Sequence, residues 1–133
     1  MILLITFAIG LFIGSFLGVL VDRIARNETV IKGRSRCEFC KKELSFFDLI
    51  PLLSFLFIKG KCRYCHKKLP IFYPLIELTT GLLFALIFYF FITGSVFLLI
   101  FYLIISSALI VLFFMDLKYG IIADKIIYPL IIL

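Results

Sequence analysis

Six side chains in this sequence have the types and spacing for chemistry: four cysteines and two aspartates. Cys37 and Cys40 form one C-x2-C pair, and Cys62 and Cys65 form another. Twenty-one residues separate the pairs, just beyond the roughly 15–20 typical of a zinc site built from two such pairs. The halves repeat at an offset of 25: "CEFCKKELSFF" matches "CRYCHKKLPIF" at both cysteines, at the aromatic before the second, at Lys42/Lys67 and at Leu44/Leu69. Each half reads as a knuckle, a tight turn aiming two thiols at one point. Two knuckles give four sulfur ligands, the set of a closed structural zinc site. Disulfides, free thiols and a catalytic redox pair are the alternatives; a reducing compartment disfavours stable bridges. His66 adjoins Cys65 and reads as a surface residue beside a complete four-cysteine set.

The aspartates stand at the edges of apolar runs. Asp116 follows an uncharged stretch over residues 97–115, and Asp124 comes eight residues later, before the apolar run that begins at Ile126. An Asp at a helix start caps backbone N–H groups, which gives Asp124 a structural explanation. Asp116 falls at a helix C-terminus, where the macrodipole disfavours negative charge. A residue set against its local preference is a functional candidate, and so is an ionisable group at a membrane edge. Glu77 is intermediate. It lies in the first turn after Pro74, either as an interface anchor or as a bundle-facing partner for an Arg.

The elements that must position these groups are membrane helices. The chain has 133 residues, 64% of them hydrophobic, with a mean hydropathy of +1.22; soluble domains run at about 45–50% apolar. Residues 2–21 carry no charge and match the ~20 residues a membrane helix needs. The basic cluster follows this run rather than preceding it, so residues 1–21 read as a retained anchor and not a signal peptide. Residues 73–92 and 97–115 give two further spans, joined by the uncharged turn "TGS" at 93–95. Residues 126–133 begin a fourth. Eight helical residues cover only ~12 Å of a ~30 Å core, so the sequence reads as cut short there.

Residues 22–72 form the polar module. Twelve of the fourteen Lys and Arg lie between Arg23 and Lys68. Such a loop stays on the cytoplasmic side and favours anionic headgroups. No nucleic-acid-reading fold accompanies the charge. Within the module, residues 46–58 are apolar but too short to span, so they read as an interfacial or re-entrant helix with Asp48 as its N-cap. Gly14, Ser15 and Gly18 make a small-residue stripe suited to close helix packing. The expected fold is an all-α integral membrane protein: a transmembrane helix bundle with a cytoplasmic four-cysteine zinc-knuckle loop. Asp116 and Asp124 then share the loop's side of the membrane.

The order of the parts is distinctive: "IGSFLGVLVDR", a C-x2-C knuckle, "LSFFDLIPLLSFLFIKGKCRYC", "YPLIELTTGLLF" and "FMDLKYGIIAD". This resembles the N-terminal half of the type IV prepilin peptidases, membrane aspartic proteases of bacterial pilus, competence and type II secretion systems. The resemblance implies that two carboxylates share the work, one as base toward water and one as acid toward the leaving amine. Asp116 matches the family's first catalytic aspartate. The second lies in a G-x-G-D segment, which is absent up to Leu133; Asp124 matches a family position in the loop after the first. The implied substrates are prepilins or pseudopilins, cut at the cytoplasmic face of the bacterial inner membrane. Many members also N-methylate the new N-terminus with S-adenosylmethionine, an activity and cofactor that come from the resemblance alone. The sequence departs from the family at Gly18, where Asn is frequent, and in "RIARNE", which lacks the Pro common after that Arg. Two other readings stand beside it: a non-catalytic membrane-anchored zinc-knuckle scaffold and, more weakly, a small transporter fragment.

Overall fold

The structure is a computed structural model and describes residues 1–28, 37, 39–43, 50–92 and 94–120. Four helices follow in order: α1 (Ile2–Ala25), α2 (Leu53–Phe57), α3 (Phe72–Phe91) and α4 (Val96–Tyr119). α1, α3 and α4 are each long and apolar enough to cross a membrane. Among the described residues there is no strand; Lys61 and Lys68 form an isolated bridge. The architecture is all-helical, with a cysteine module inserted between α1 and α3.

Glycine sets how the bundle packs. α1 lies chiefly on α3, and α4 touches both. A Cβ at Gly10 would stand 2.7 Å from the Cα of Gly81, and one at Gly14 would stand 2.7 Å from the Cα of Glu77. Real side chains do not approach that closely, so backbone meets backbone at these points. Gly18 completes the stripe against Ile76 and Tyr73. The expected stripe is there, extended one turn toward the N-terminus by Gly10. Such close packing is what associates helices in a solvent as apolar as they are.

The compact core lies toward the end of the bundle that carries the module. Leu17 and Val21 of α1, Ile76 of α3, and Ile110, Val111, Phe114 and Met115 of α4 form one buried cluster. The opposite ends of the helices expose their apolar side chains, such as Leu4, Phe90 and Phe97, as surfaces facing lipid should. α4 runs four residues past the expected span and stops at Gly120. That glycine adopts the left-handed conformation (φ 62°) and donates its N–H to the Asp116 carbonyl at 2.8 Å, a C-cap that residues with a Cβ adopt less readily. Asp124 and the apolar run from Ile126 lie outside the described residues, as does Asp48. Of the expected helix over 46–58, the described part is a turn at 50–52 followed by α2.

Candidate functional site

The two knuckles are built alike. In the first, the Cys37 N–H donates to the Lys42 carbonyl at 3.0 Å and the Lys41 N–H to the Cys37 carbonyl at 3.0 Å. In the second, the Cys62 N–H donates to the Lys67 carbonyl and the His66 N–H to the Cys62 carbonyl, both at 2.9 Å. Lys41 and His66 each take a positive φ, 58° and 54°. The chain reverses there, so His66 is the turn residue of its knuckle, as Lys41 is of the other.

These turns bring all four sulfurs within 4.8 Å of one another. Cys37 Sγ and Cys65 Sγ are 3.9 Å apart; tetrahedral ligands at about 2.3 Å from zinc would stand about 3.8 Å apart. The thiols are not bridged, and Cys37 and Cys62 are buried. Burial opposes ionisation of Cys62, but hydrogen bonds from the Cys65 and Tyr64 backbone and from the neighbouring thiols outweigh it, lowering its thiol to about 7. At Cys65 the Lys67 backbone N–H favours the thiolate, yet burial and the three neighbouring sulfurs win, raising it to about 11. The first thiolate forms easily and makes the next difficult, unless a cation neutralises the cluster.

The sequence repeat reappears as a reciprocal contact. Lys42 of the first knuckle places Nζ 4.4 Å from the Tyr64 ring centroid in the second. Lys67 of the second places Nζ 4.9 Å from the Phe39 ring in the first. The repeated positions thus meet crosswise, and each cation–π contact ties one knuckle to the other.

A second polar cluster closes the same end of the bundle. Asp22 is buried in the last turns of α1. Its Oδ1 accepts from Lys118 Nζ at 2.7 Å and from the Tyr119 hydroxyl at 2.8 Å, and its Oδ2 from the Tyr73 hydroxyl. Lys118 also lies over the rings of Phe72 (4.4 Å), Tyr73 (5.1 Å) and Tyr119 (5.3 Å). One carboxylate therefore joins the C-terminal ends of α1 and α4 to the N-terminal end of α3. None of these residues was singled out in the sequence. The available signal was Asp22 itself, the first charge after a twenty-residue uncharged run.

Glu77 is buried beside Gly14. Its Oε2 accepts the backbone N–H of Leu52 at 2.8 Å, and Ser15 also hydrogen-bonds its carboxylate. Glu77 therefore lies at the α1–α3 contact, with a backbone amide and a serine as partners. Asp116 is exposed in the last turn of α4, two residues before Lys118. Through Lys118 and Asp22 it belongs to the end of the bundle from which the cysteine module extends.

A family profile described as the bacterial peptidase A24 N-terminal domain matches residues 8–91. The chain belongs to this family. The match takes in Asp22, the four cysteines and Glu77, and it ends before Asp116. Relatives named prepilin leader peptidase/N-methyltransferase occur in Myxococcus xanthus (strain DK1622), 44% identical over 78 residues that cover 59% of this chain and 23% of the relative; in Bacillus subtilis (strain 168), 46% identical over 81 residues, 61% and 33%; and in Neisseria gonorrhoeae, 33% identical over 103 residues, 59% and 36%. The chain thus spans between about a quarter and a third of the length of these curated relatives. No solved structure matches it. Within the A24 N-terminal family, the knuckles and the α1–α3 glycine contact described above are the features this chain builds inside the matched segment.

Proposed function

We propose that this chain forms part of a membrane aspartic endopeptidase that removes the leader of type IV prepilin-like proteins at the cytoplasmic face. The observation that supports it best is the family match across residues 8–91, joined to an exposed carboxylate, Asp116, at the module's end of the bundle. In this reading Asp116 is one of two carboxylates. Two neighbouring carboxyl groups do not readily ionise together, so the pair holds one proton. The ionised member draws a proton from water as it attacks the scissile carbonyl, and the protonated member delivers one to the leaving amine. The second carboxylate is Asp124 or an acid that joins from a G-x-G-D segment. The Asp22 cluster holds the last turn of α4 in place, and with it Asp116.

The four sulfurs of Cys37, Cys40, Cys62 and Cys65 suit a structural zinc ion, which when bound contributes folding free energy and neutralises thiolates. N-methylation of the new N-terminus, with S-adenosylmethionine as donor, accompanies this reading through the names of the relatives; none of the described residues is assigned to the donor. In this reading the basic module lies in the cytoplasm and the Ser95 turn outside, the orientation that an excess of Lys and Arg favours.

A chimaera tests the proposal. Residues 1–133 of this chain replace the corresponding segment of the Bacillus subtilis relative, and leader cleavage of a prepilin is followed in membranes. Cleavage that depends on Asp116 supports the reading. A chimaera that inserts, holds zinc and leaves the leader intact would sink it and favour a non-catalytic zinc-knuckle scaffold.

A further inference from the structure

The part of the cysteine module nearest the bundle core is the turn before α2. Pro51 is buried, and Leu52 has φ 55° and ψ −47°. The Leu53 N–H returns to the Pro51 carbonyl. This is a γ-turn of the rare, strained hand, centred on a bulky residue that seldom adopts positive φ. Strain of this kind persists only where surrounding contacts fix it. Here the Glu77 carboxylate takes the Leu52 N–H at 2.8 Å.

The depth of this turn follows from its neighbours. Glu77 packs its Cα against Gly14 and hydrogen-bonds Ser15. Ser15 precedes Asp22 by seven residues, about 10 Å along α1 at 1.5 Å per residue. On α3, Glu77 lies four residues, about 6 Å, beyond Tyr73, and Tyr73 donates to Asp22. Both routes place Leu52 well inside the plane of Asp22, where the uncharged part of α1 begins. Non-helical backbone at membrane depth survives only where protein satisfies its polar groups. Pro51 has no N–H, the Leu52 N–H goes to Glu77, and the Leu53 N–H goes to Pro51. This also accounts for a buried acid in an apolar helix.

α2 then turns apolar side chains away from the protein: Leu53 is 52% exposed, Leu56 70% and Phe57 82%. The chain leaves through Lys59, Lys61 and Lys68, all exposed. We propose that residues 50–58 are a re-entrant segment, seated in the leaflet on the module's side, with acyl chains covering Leu53, Leu56 and Phe57 and anionic phospholipid headgroups meeting Lys59, Lys61 and Lys68. The depth of the turn assigns the cover to lipid, and the charge of the rim assigns the headgroup. Peptidase activity is not needed for this inference.

The sequence contains no Trp, so Phe57→Trp installs a single reporter. The full chain is reconstituted into bilayers of phosphatidylcholine with and without phosphatidylglycerol, using acyl chains brominated near the headgroup or near the chain end. Phe12→Trp, at a 60% exposed position in mid-α1, is the control for insertion. The indole at position 57 is expected to emit at short wavelength and to be quenched most by bromine near the headgroup. Adding Lys59→Glu, Lys61→Glu and Lys68→Glu is expected to abolish most of that quenching in the anionic bilayer. Water-like, unquenched emission from position 57, with the control quenched, overturns the proposal. So does short-wavelength emission that resists bromine and shifts on dilution with lipid, which means a second copy covers α2. Quenching that ignores both phosphatidylglycerol and the lysine changes overturns the headgroup assignment. An unquenched control removes the membrane placement, and the proposal with it.

Discussion

Lys118 Nζ stands 2.7 Å from Asp22 Oδ1, across 96 residues of chain. Both side chains are largely buried, 19% and 11% exposed, and two tyrosine hydroxyls complete the carboxylate's shell. Breaking a buried pair leaves an uncompensated charge, which costs about 3–5 kcal/mol. Asp22→Ala is therefore expected to destabilise the bundle by about 3 kcal/mol, measured by detergent unfolding in mixed micelles. Exchanging the charges, Asp22→Lys with Lys118→Asp, should recover part of that loss. An unfolding midpoint unchanged in Asp22→Ala would remove this cluster from the interactions that hold α1, α3 and α4 together.

The glycine stripe gives a graded prediction. At Gly14 a methyl group would meet the Glu77 Cα at 2.7 Å, and backbone cannot swing aside. At Gly18 the nearest atom is the Ile76 Cγ2 at 3.2 Å, part of a side chain that can adjust. Overpacking of a close contact costs about 1–3 kcal/mol. Gly14→Ala should fall in that range and Gly18→Ala well below it in thermal unfolding of the purified chain. Equal effects at the two positions would mean that α1 and α3 do not approach as closely at Gly14.

How much of this could be read from the sequence depended on the kind of interaction. The long helices were legible because an uncharged run of about twenty residues has few alternatives. The sulfur cluster was legible because C-x2-C fixes two thiols on one turn, and the 25-residue repeat marked Lys42, Lys67, Phe39 and Tyr64, which then meet crosswise. Asp22 was not legible. At the end of a span it reads as one interfacial charge among many, and its partners lie 51 to 97 positions away. Nor was the partner of Glu77, because a backbone N–H leaves no mark in composition. The positive φ of Leu52 runs against the preference of its residue type and followed from no local pattern.

The thiols predict a pH dependence. Metal binding requires thiolates and releases their protons. Cys62 titrates at about 7 and Cys65 at about 11, so near neutral pH the metal-free cluster gives up one proton readily and binding must expel the others. Lowered pH returns those protons, so zinc should be held more weakly as pH falls through 7 and below, and more tightly above it. Zinc content per chain, measured after equilibration with a chelator from pH 5 to pH 8, reads this directly. Cys62→Ser should lose the metal and loosen the module, with faster proteolysis between α1 and α3. Zinc retention that does not vary over this range, or full retention in Cys62→Ser, would contradict a four-thiolate centre.

The last prediction concerns Asp116. In the chimaera with the Bacillus subtilis relative, Asp116→Asn keeps the side chain's size and one acceptor oxygen but cannot take or share the proton. General acid–base assistance is worth roughly 10²–10⁴-fold, so leader cleavage should fall by at least that range. Insertion and zinc content should not move and thermal stability should not fall, because Asp116 is exposed and Asn at the end of α4 relieves an unfavourable charge against the helix dipole. Lys118→Met makes the contrasting case. It should lower stability together with cleavage, since it withdraws one of the two groups, with the Tyr119 hydroxyl, that tie this turn to Asp22. Asp124→Asn should be milder than Asp116→Asn if Asp124 is a helix cap, because Asn caps nearly as well as Asp. An equal loss in both would make Asp116 and Asp124 the working pair. Full cleavage in Asp116→Asn, with the protein inserted and zinc bound, would end its assignment as a catalytic carboxylate.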